Sequence, residues 1–227
     1  MPDKQQRRSI LAMTSLALAA TATRAGAEGP TVRFDFEDVP VGQLPAGVTT
    51  GLTGGGGPVK WSVIEDRTAP VGSKVLAQTS ADRTDYRFPL AIFDQTAKDA
   101  TVTVRFKAVS GEVDRAAGIA LRLSDANNYY VVRANALEDN VVLYKTANGV
   151  RRELDIVGRK GGYGVKASVP SNQWLRLRVE FKGSRFAVIY NGKQIFEVED
   201  STFSDAGKLG LWTKADSVTL FDEITFG

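Results

Sequence analysis

The sequence predicts an all-β protein built as a sandwich of two antiparallel sheets. Segments 101–107 and 175–181 alternate strictly between apolar and polar residues, and this period of two buries one face of a strand while the other face meets water. Helical spacing of apolar residues is hard to find. Short turn signals separate about a dozen further strand candidates. Together these observations favour a sandwich over any helical or mixed fold.

The other predicted strands share this pattern of short apolar runs bounded by turn residues. They cover 31–37, 59–65, 74–78, 86–92, 116–123, 129–134, 140–146, 151–155, 185–190, 193–199, 208–213 and 217–226. The alternation assigns to the core Val102, Val104, Phe106, Leu121, Val132, Leu175, Leu177, Val179, Phe186, Val188, Leu209 and Leu211.

The pair Asn191-Gly192 is the sharpest turn signal in the chain. A type I′ turn needs positive φ at both central residues, and this pair tolerates it, so the sequence predicts a hairpin over 185–199. The stretch 39–58 contains the glycine run 54–57. Because no Lys-Ser/Thr follows the run, it is not a phosphate loop. We expect a flexible loop, with the rim of a binding site as the alternative.

The composition excludes much familiar catalytic chemistry. The chain has no His and no Cys, so it can form neither a Ser-His-Asp triad, a thiol nucleophile, a zinc finger nor a disulfide. A metal would need all-oxygen ligands, which favours calcium or magnesium, and proton transfer would fall to Asp, Glu, Lys or Tyr.

Residues 1–27 are predicted to be an export signal. Lys4, Arg7 and Arg8 form a basic head, residues 10–22 are apolar but too short to span a bilayer, and 25–27 read Ala-Gly-Ala, a small-x-small cleavage site. The adjacent arginines are typical of a twin-arginine signal, and a Sec-type head is the alternative. A lipid anchor is excluded because there is no Cys.

The charge of the predicted mature chain, residues 28–227, is balanced. The whole chain has 29 basic and 26 acidic residues, and residues 1–27 contain four of the bases and one of the acids. Nucleic acid and anionic membrane surfaces are therefore not expected partners, because both need surplus positive charge. Sugars or other neutral ligands fit better. The oligomeric state is left open.

Several blocks resemble a known superfamily. They read FDFED at 34–38, NNYYVVRAN at 127–135, WLRLRVEF at 174–181, YNGK at 190–193 and GKLGLW at 207–212. These blocks resemble the concanavalin A-like jelly rolls, and within them the 3-keto-disaccharide hydrolases, which are similar in fold to family 16 glycoside hydrolases. The resemblance implies a jelly-roll sandwich over residues 28–227 and a saccharide ligand.

One departure from the family 16 pattern bears on activity. Those glucanases carry a Glu-x-Asp-x-(x)-Glu strand, whose paired carboxylates act on one glycosidic bond. This chain has no such triplet, and Glu197 with Glu199 lacks the third partner. Ordinary two-carboxylate glucanase activity is therefore disfavoured.

Two predicted strands suggest where a ligand would lie. On one face of 116–123, Gly118 and Ala120 precede Arg122, and on one face of 208–214, Gly210 precedes Trp212 and Lys214. Small residues leave a hollow in a curved sheet, which long side chains can wall. If Tyr130, Val132 and Ala134 face the core, then Tyr129, Arg133 and Asn135 face this hollow. The opposite register is the alternative.

The predicted saccharide-binding residues combine aromatic rings with planar polar groups, the mixture that holds sugars. They are Arg122, Tyr129, Arg133, Asn135, Tyr144, Trp212 and Lys214. We expect Arg133 and Trp212 to be partly exposed on one concave sheet. The alternative is that the aromatic residues are packing residues and the arginines are ordinary cross-strand partners.

The resemblance implies cleavage of a glycoside already oxidised at C3, where the ketone acidifies the C2 proton. Such an elimination needs one base and one acid. Glu138 or Asp139 would supply the base, with a pKa raised by burial, and Tyr129, Tyr144 or Lys145 would polarise the ketone or protonate the leaving group. A non-catalytic binding module is the alternative, and a scaffold domain would show a filled or apolar concave face.

No cofactor is required by this chemistry, but calcium is a candidate ligand. Asp35 in the first strand and Asp222 in the last would converge if the terminal strands lie side by side, as the resemblance implies. The alternative is that these acids protect an exposed sheet edge from pairing.

The export signal gives a first prediction. Because the basic head, apolar run and cleavage site act in series, the exported protein should begin at or near Glu28. N-terminal sequencing of protein from the periplasm or medium checks this. A cytoplasmic product that retains Met1 would contradict it.

Overall fold

The computed structural model describes residues 31–227, which form sixteen strands joined by turns and loops. The strands are β1 (Val32–Phe34), β2 (Val48–Gly54), β3 (Trp61–Glu65), β4 (Lys74–Gln78), β5 (Arg87–Ala97), β6 (Ala100–Ser110), β7 (Ala116–Asp125), β8 (Asn128–Asn135), β9 (Asn140–Ala147), β10 (Val150–Glu153), β11 (Val165–Lys166), β12 (Leu175–Lys182), β13 (Arg185–Tyr190), β14 (Lys193–Glu199), β15 (Gly207–Trp212) and β16 (Val218–Phe226). The predicted export signal lies outside the described residues. Within them, no helix has the length and apolarity to cross a membrane.

The strands form two antiparallel sheets, which confirms the predicted fold class. Sheet 1 has the order β14-β13-β12-β6-β16-β4-β3, with β1 paired to β16, and sheet 2 has the order β10-β9-β8-β7-β15-β5-β2, with β11 paired to β9. The first and last strands are neighbours, since Val32 opposes Phe226 and Phe34 opposes Ile224.

The core between the sheets follows the alternation in the sequence. In β12, Leu175, Leu177, Val179 and Phe181 are buried, while the residues between them reach the surface. All twelve predicted core residues are buried. Burying alternate residues of both sheets is the arrangement expected of a β-sandwich.

Sheet 2 is apolar on its outer face as well. Its residues there form a second buried cluster of Phe88, Leu90, Ile92, Ala116, Ala120, Leu123, Tyr129, Val131, Val142, Tyr144 and Trp212. We call this surface the aromatic face. In β8, Tyr130 and Val132 belong to the inter-sheet core, whereas Tyr129 and Val131 belong to the aromatic face, so the first of the two predicted registers is correct.

The hairpin predicted over 185–199 is present. Asn191 and Gly192 have φ angles of 47° and 83°, as a type I′ turn requires. A register shift between Val188 and Ile189 marks a bulge in the pairing of β13 with β14.

The prediction of a flexible loop over 39–58 is wrong for its second half. The seven residues of β2 pair with β5 along their whole length. Gly54 ends this strand with a φ of 82°, and a Cβ there would lie 2.1 Å from the carbonyl oxygen of Tyr86. Gly54 therefore allows a close backbone approach. The sequence did not predict β2, because Thr and Gly occupy most of its positions in place of the usual apolar residues.

Replacing Leu177 with Asp tests the core assignment. Leu177 is fully buried between the sheets, so an unpaired carboxylate there should lower the free energy of unfolding by at least about 3 kcal/mol. Urea unfolding measures the loss. The exposed Lys182 lies on the opposite face of the same strand, and Lys182→Asp is the control. Equal unfolding midpoints for the two variants would contradict the assignment.

Candidate functional site

The aromatic face is filled by its own side chains. Gly118 lies beside Trp212, and a Cβ on Gly118 would come within 3.2 Å of the Trp212 ring. Trp212 Nε1 donates a hydrogen bond to the Tyr129 hydroxyl at 3.2 Å, and the hydroxyls of Tyr129 and Thr53 are 2.8 Å apart. The small residues therefore make room for large rings rather than leaving an open hollow.

A buried arginine stands at one end of this face. Arg133 Nη2 donates to Glu138 Oε2 at 2.9 Å and to Asn140 Oδ1 at 2.7 Å. The Asn140 amide in turn donates to Glu138 Oε2 at 2.9 Å. Arg133 is 1% exposed, whereas the side chain of Glu138 is 39% exposed. Glu138 is thus an accessible carboxylate held in place from below.

A second group of polar residues adjoins this pair. The Asn135 amide donates to Asp114 Oδ1 at 2.9 Å and to Glu138 Oε1 at 3.2 Å. Lys214 Nζ lies 3.1 Å from Asp114 Oδ2 and 2.7 Å from Asp85 Oδ1.

We call these residues together the polar cluster: Asp114, Arg133, Asn135, Glu138, Asn140 and Lys214. Asp114 was not predicted, because it lies in the loop between β6 and β7, where no sequence pattern marks it.

The charges in the polar cluster are set by burial and by close partners. Burial raises the pKa of Asp114, opposed by the charges of Arg133 and Lys214. For Glu138, partial burial is outweighed by the hydrogen bonds and charge of Arg133, so its pKa lies below the usual value. Burial opposes the charge of Lys214, but Asp85 and Asp114 raise its pKa overall. Glu138 is therefore anionic and Lys214 cationic at neutral pH.

This result corrects the expectation that burial raises the pKa of the candidate base toward neutrality. For Glu138 the direction is opposite, because a guanidinium hydrogen-bonded to a carboxylate favours its charged form.

The rim of the aromatic face contains groups that sequence reasoning did not select. The Arg151 guanidinium lies over Phe88 at 4.6 Å, Tyr144 at 4.5 Å and Trp212 at 5.5 Å from the ring centroids. The hydroxyls of Tyr144 and Tyr163 are hydrogen-bonded, which connects a buried ring to an exposed one. Arg151 precedes another arginine, Arg152, in the short strand β10, and nothing in the local sequence distinguishes the two.

Arg133 and Trp212 share one sheet face, but the expectation that they are partly exposed is wrong. They are 1% and 0% exposed, because the Tyr144 and Tyr163 rings lie against the Arg133 guanidinium and Arg151 lies over the Trp212 ring. Tyr129, Tyr144 and Asn135 also face this side of sheet 2 and are buried. Of the predicted binding residues here, Lys214 keeps access to the surface, with 15% of its side chain exposed.

Arg122 does not join this face. A register shift interrupts β7 after Leu121, and Arg122 has a φ of 48°. Its guanidinium donates to the carbonyl oxygens of Lys98, Phe203 and Gly183 and lies 5.4 Å from the Phe181 ring of sheet 1. The bulge turns the side chain away from the position that strict alternation assigns to it.

Asp139 and Lys145 are also directed elsewhere. Asp139 is exposed, and its carboxylate accepts a hydrogen bond from the Val169 backbone N–H at 2.9 Å. Lys145 Nζ pairs with Asp200 at 2.8 Å. Of the two carboxylates considered as base, only Glu138 lies in the polar cluster.

The calcium candidates lie near each other but use their oxygens internally. Buried Asp222 accepts backbone N–H hydrogen bonds from Val71 at 3.0 Å and Glu223 at 2.7 Å. Burial raises its pKa to about 6, with further contributions from Glu223 and Asp35. Residues 31–227 contain no group of three or more Asp or Glu suited to hold a metal ion. Calcium at Asp35 and Asp222 stays a prediction.

A groove of about 810 Å³ lies on the outer face of sheet 1, opposite the aromatic face. Its charged side chains pair with one another, as Arg178 does with Glu180 at 2.6 Å and Arg185 with Glu197. Exposed pairs of this kind are ordinary on a solvated sheet. The candidate site is therefore placed at the polar cluster, where charged groups are buried and fixed.

Comparison with known proteins agrees with this architecture. The fold is a concanavalin A-like jelly-roll sandwich, which the chain shares with solved structures of low sequence identity. Residues 55–226 match the family described as the 3-keto-alpha-glucoside-1,2-lyase-like domain, and the chain belongs to that family. No curated protein matches the chain.

Three solved structures share the fold at low sequence identity. Carbohydrate binding module CBM66 from Bacillus subtilis is 19% identical with a TM-score of 0.62, over 83% of this chain and 100% of that one. The Bacillus licheniformis β-glucanase is 11% identical with a TM-score of 0.54, over 87% and 98%. Domain 4 of the Geobacillus stearothermophilus arabinanase AbnA, in complex with arabinotriose, is 12% identical with a TM-score of 0.51, over 86% and 89%.

Replacing Arg133 with Ala should destabilise the protein. The change opens a cavity and removes the partner of Glu138 and Asn140, so we expect a loss of about 3 kcal/mol in the free energy of unfolding. Exposed Arg152 provides the control, with Arg152→Ala expected within about 0.5 kcal/mol of wild type. Matching urea midpoints for both variants would refute the structural role of Arg133.

Proposed function

We propose that this protein is an exported carbohydrate-active domain that cleaves 3-keto glycosides at the polar cluster. Membership of the 3-keto-alpha-glucoside-1,2-lyase-like family supports the substrate class. The observation that carries the proposal is Glu138, an accessible carboxylate hydrogen-bonded by buried Arg133 beside cationic Lys214. The predicted signal over 1–27 supports export to the periplasm or the medium.

The chemistry requires one base and stabilisation of one developing negative charge. A ketone at C3 acidifies the C2 proton, which Glu138 would accept. Lys214 would stabilise the enolate oxygen through its charge. The electron pair then forms the C1=C2 bond as the C1–O bond breaks, and the departing oxygen takes a proton from the Tyr163 hydroxyl or from water. The products are an unsaturated 3-keto sugar and the free aglycone.

The geometry of Glu138 suits this role in two respects. Arg133 and Asn140 fix the carboxylate, so less conformational freedom is lost when a substrate binds. Its lowered pKa keeps it ionised at neutral pH. The low basicity that results is offset by the acidity that the ketone confers on the C2 proton. Nothing in this scheme needs the two carboxylates of a classical glucanase.

A non-catalytic saccharide-binding domain is the second candidate. The filled aromatic face favours it, because a ligand would rest on the surface rather than enter a deep cleft. The fold shared with CBM66 is compatible with this role. A purely structural scaffold would also show a filled face, but it would not need accessible charged groups at the end of that face.

The decisive experiment is incubation of the purified protein with a 3-keto-glucoside and with a plain β-glucan. We expect aglycone release from the first only. Because Glu138 is the base, Glu138→Gln should lower the rate by at least about a hundredfold. Glu180→Gln is the matched control, since Glu180 also pairs with an arginine but lies on sheet 1. Wild-type activity should stay level near neutral pH and fall only in acid, as Glu138 is protonated.

The melting temperature of each variant separates lost chemistry from lost folding. Binding of the 3-keto-glucoside without turnover would replace the enzyme proposal with the binding domain. Cleavage of the plain glucan would overturn the exclusion of glucanase chemistry. A Glu138→Gln variant that is folded and fully active would remove Glu138 as the base.

A further inference from the structure

Arg151 is a cation with uncommitted hydrogen-bond donors at the rim of the aromatic face. Its guanidinium covers the rings of Phe88, Tyr144 and Trp212. The terminal nitrogen Nη1 is buried and has no hydrogen-bond partner among residues 31–227. Asp85, the acid whose pKa Arg151 helps to lower, pairs directly with Lys214 instead. Buried donors are normally satisfied. Because Arg151 as a whole is partly exposed, a ligand at the rim can reach its guanidinium and supply an acceptor.

Two exposed tyrosines pack against rings that this guanidinium covers. Tyr86 is 46% exposed and Tyr163 45% exposed. The Tyr86 ring packs edge-on against Phe88 at 4.8 Å, and the Tyr163 ring packs similarly against Tyr144 at 6.0 Å. Exposed rings at fixed positions offer faces on which the C–H surface of a sugar can stack. We call Tyr86, Arg151 and Tyr163 the arginine subsite.

Backbone contacts fix Tyr86 and Arg151 before any ligand arrives. The Tyr86 hydroxyl donates to the Gly149 carbonyl oxygen at 2.6 Å and accepts from the Arg151 backbone N–H at 3.1 Å. These bonds connect the loop before β5 to the start of β10. A preformed arrangement reduces the entropy lost on binding.

The charge of the surrounding segment indicates the chemistry of the ligand. Residues 151–166, which include Arg151 and Tyr163, contain five basic and two acidic residues. This local excess contrasts with the balanced charge of the predicted mature chain. A guanidinium supplies only donors, in a planar fork that matches a carboxylate. A neutral sugar would gain little from the positive charge and could not accept hydrogen bonds from the guanidinium as a carboxylate does.

We propose that the arginine subsite binds the carboxylate of an acidic sugar, a uronic acid residue, with Arg151 as the group that recognises it. The inference rests on the proposed use of the aromatic face by a saccharide and specifies which class of saccharide it takes. The sugar ring lies between Tyr86 and Tyr163, and its carboxylate accepts hydrogen bonds from the guanidinium. The polar cluster then contacts the adjoining part of the glycoside.

The test compares ligands that differ only at C6. Methyl glucuronide and methyl glucoside, each as both anomers, are titrated into the purified protein and followed by NMR. We expect wild type to bind a glucuronide at least about tenfold more tightly than the matching glucoside. Added salt should reduce this preference, because it screens the charge. Methyl glucoside 6-sulfate tests whether the anion is a carboxylate, and tighter binding of the sulfate would overturn that assignment.

Variants then show whether the glucuronide preference comes from direct contact with Arg151 or from the positive charge of the surrounding segment. Arg151→Gln should reduce the preference for the glucuronide to less than about threefold, whereas Arg151→Lys, which keeps the charge without the fork, should retain part of it. Arg152→Gln removes the same charge from the next residue of β10, which is exposed, and should keep the preference. Circular dichroism confirms that each variant is folded.

The outcomes distinguish this inference from the proposed function. Equal affinity for glucuronide and glucoside, together with cleavage of a neutral 3-keto-glucoside, overturns the acidic subsite and leaves the proposed function standing. Binding of neither ligand and no cleavage overturns both. A preference that Arg151→Gln and Arg152→Gln reduce equally also overturns the inference, because general charge would then explain it.

Discussion

Sheet 2 is apolar on both faces, and the rest of the candidate site depends on how its outer face is covered. The inner face packs against sheet 1. Residues 31–227 place no third layer over the aromatic face, so within this part of the chain side chains from sheet 2 itself and from its edges cover it. The Trp212 ring occupies the space beside Gly118, and the Arg151 guanidinium lies over that ring. A guanidinium can cover aromatic rings because its flat faces stack on them while its edge still forms hydrogen bonds.

Buried arginines hold the loops at the edges of the sandwich. Arg87 is fully buried and donates to the carbonyl oxygens of Gly57, Pro58 and Ala215. Arg122 binds three carbonyl oxygens in the same way. The chain has no cysteine and so no disulfide. Each of these arginines instead connects several segments of the chain, because one planar guanidinium donates to several backbone carbonyl oxygens that would otherwise be buried without a partner. Arg133 differs, because its main partner is a carboxylate that reaches the surface.

The pairing of buried Arg133 with the accessible carboxylate of Glu138 defines the candidate site. Arg133, Asn135 and Asp114 are buried, whereas Glu138 and Lys214 lie above them with access to solvent. A buried layer that orients an accessible layer is the arrangement by which a protein presents charged groups in fixed positions. The pKa directions follow from it: burial raises the pKa of Asp114, and contact with Arg133 lowers that of Glu138. Under the proposed function, the substrate would meet an ionised Glu138 and a protonated Lys214.

The sequence by itself determined the features that depend on near neighbours along the chain. Alternation in 101–107 and 175–181 fixed which residues face the core, and Asn191-Gly192 fixed a hairpin, because both signals express local backbone geometry. Glu138 could be proposed since it follows a recognisable strand.

Tertiary structure decided what depends on distant partners. Asp114 enters the site through contacts with Asn135 and Lys214, which no local pattern encodes. A bulge turned Arg122 away, and the β5 backbone made a strand of residues 48–54. Exposure, hydrogen bonding and pKa arise from the packing of several segments, so residue type and spacing along the chain could not specify them.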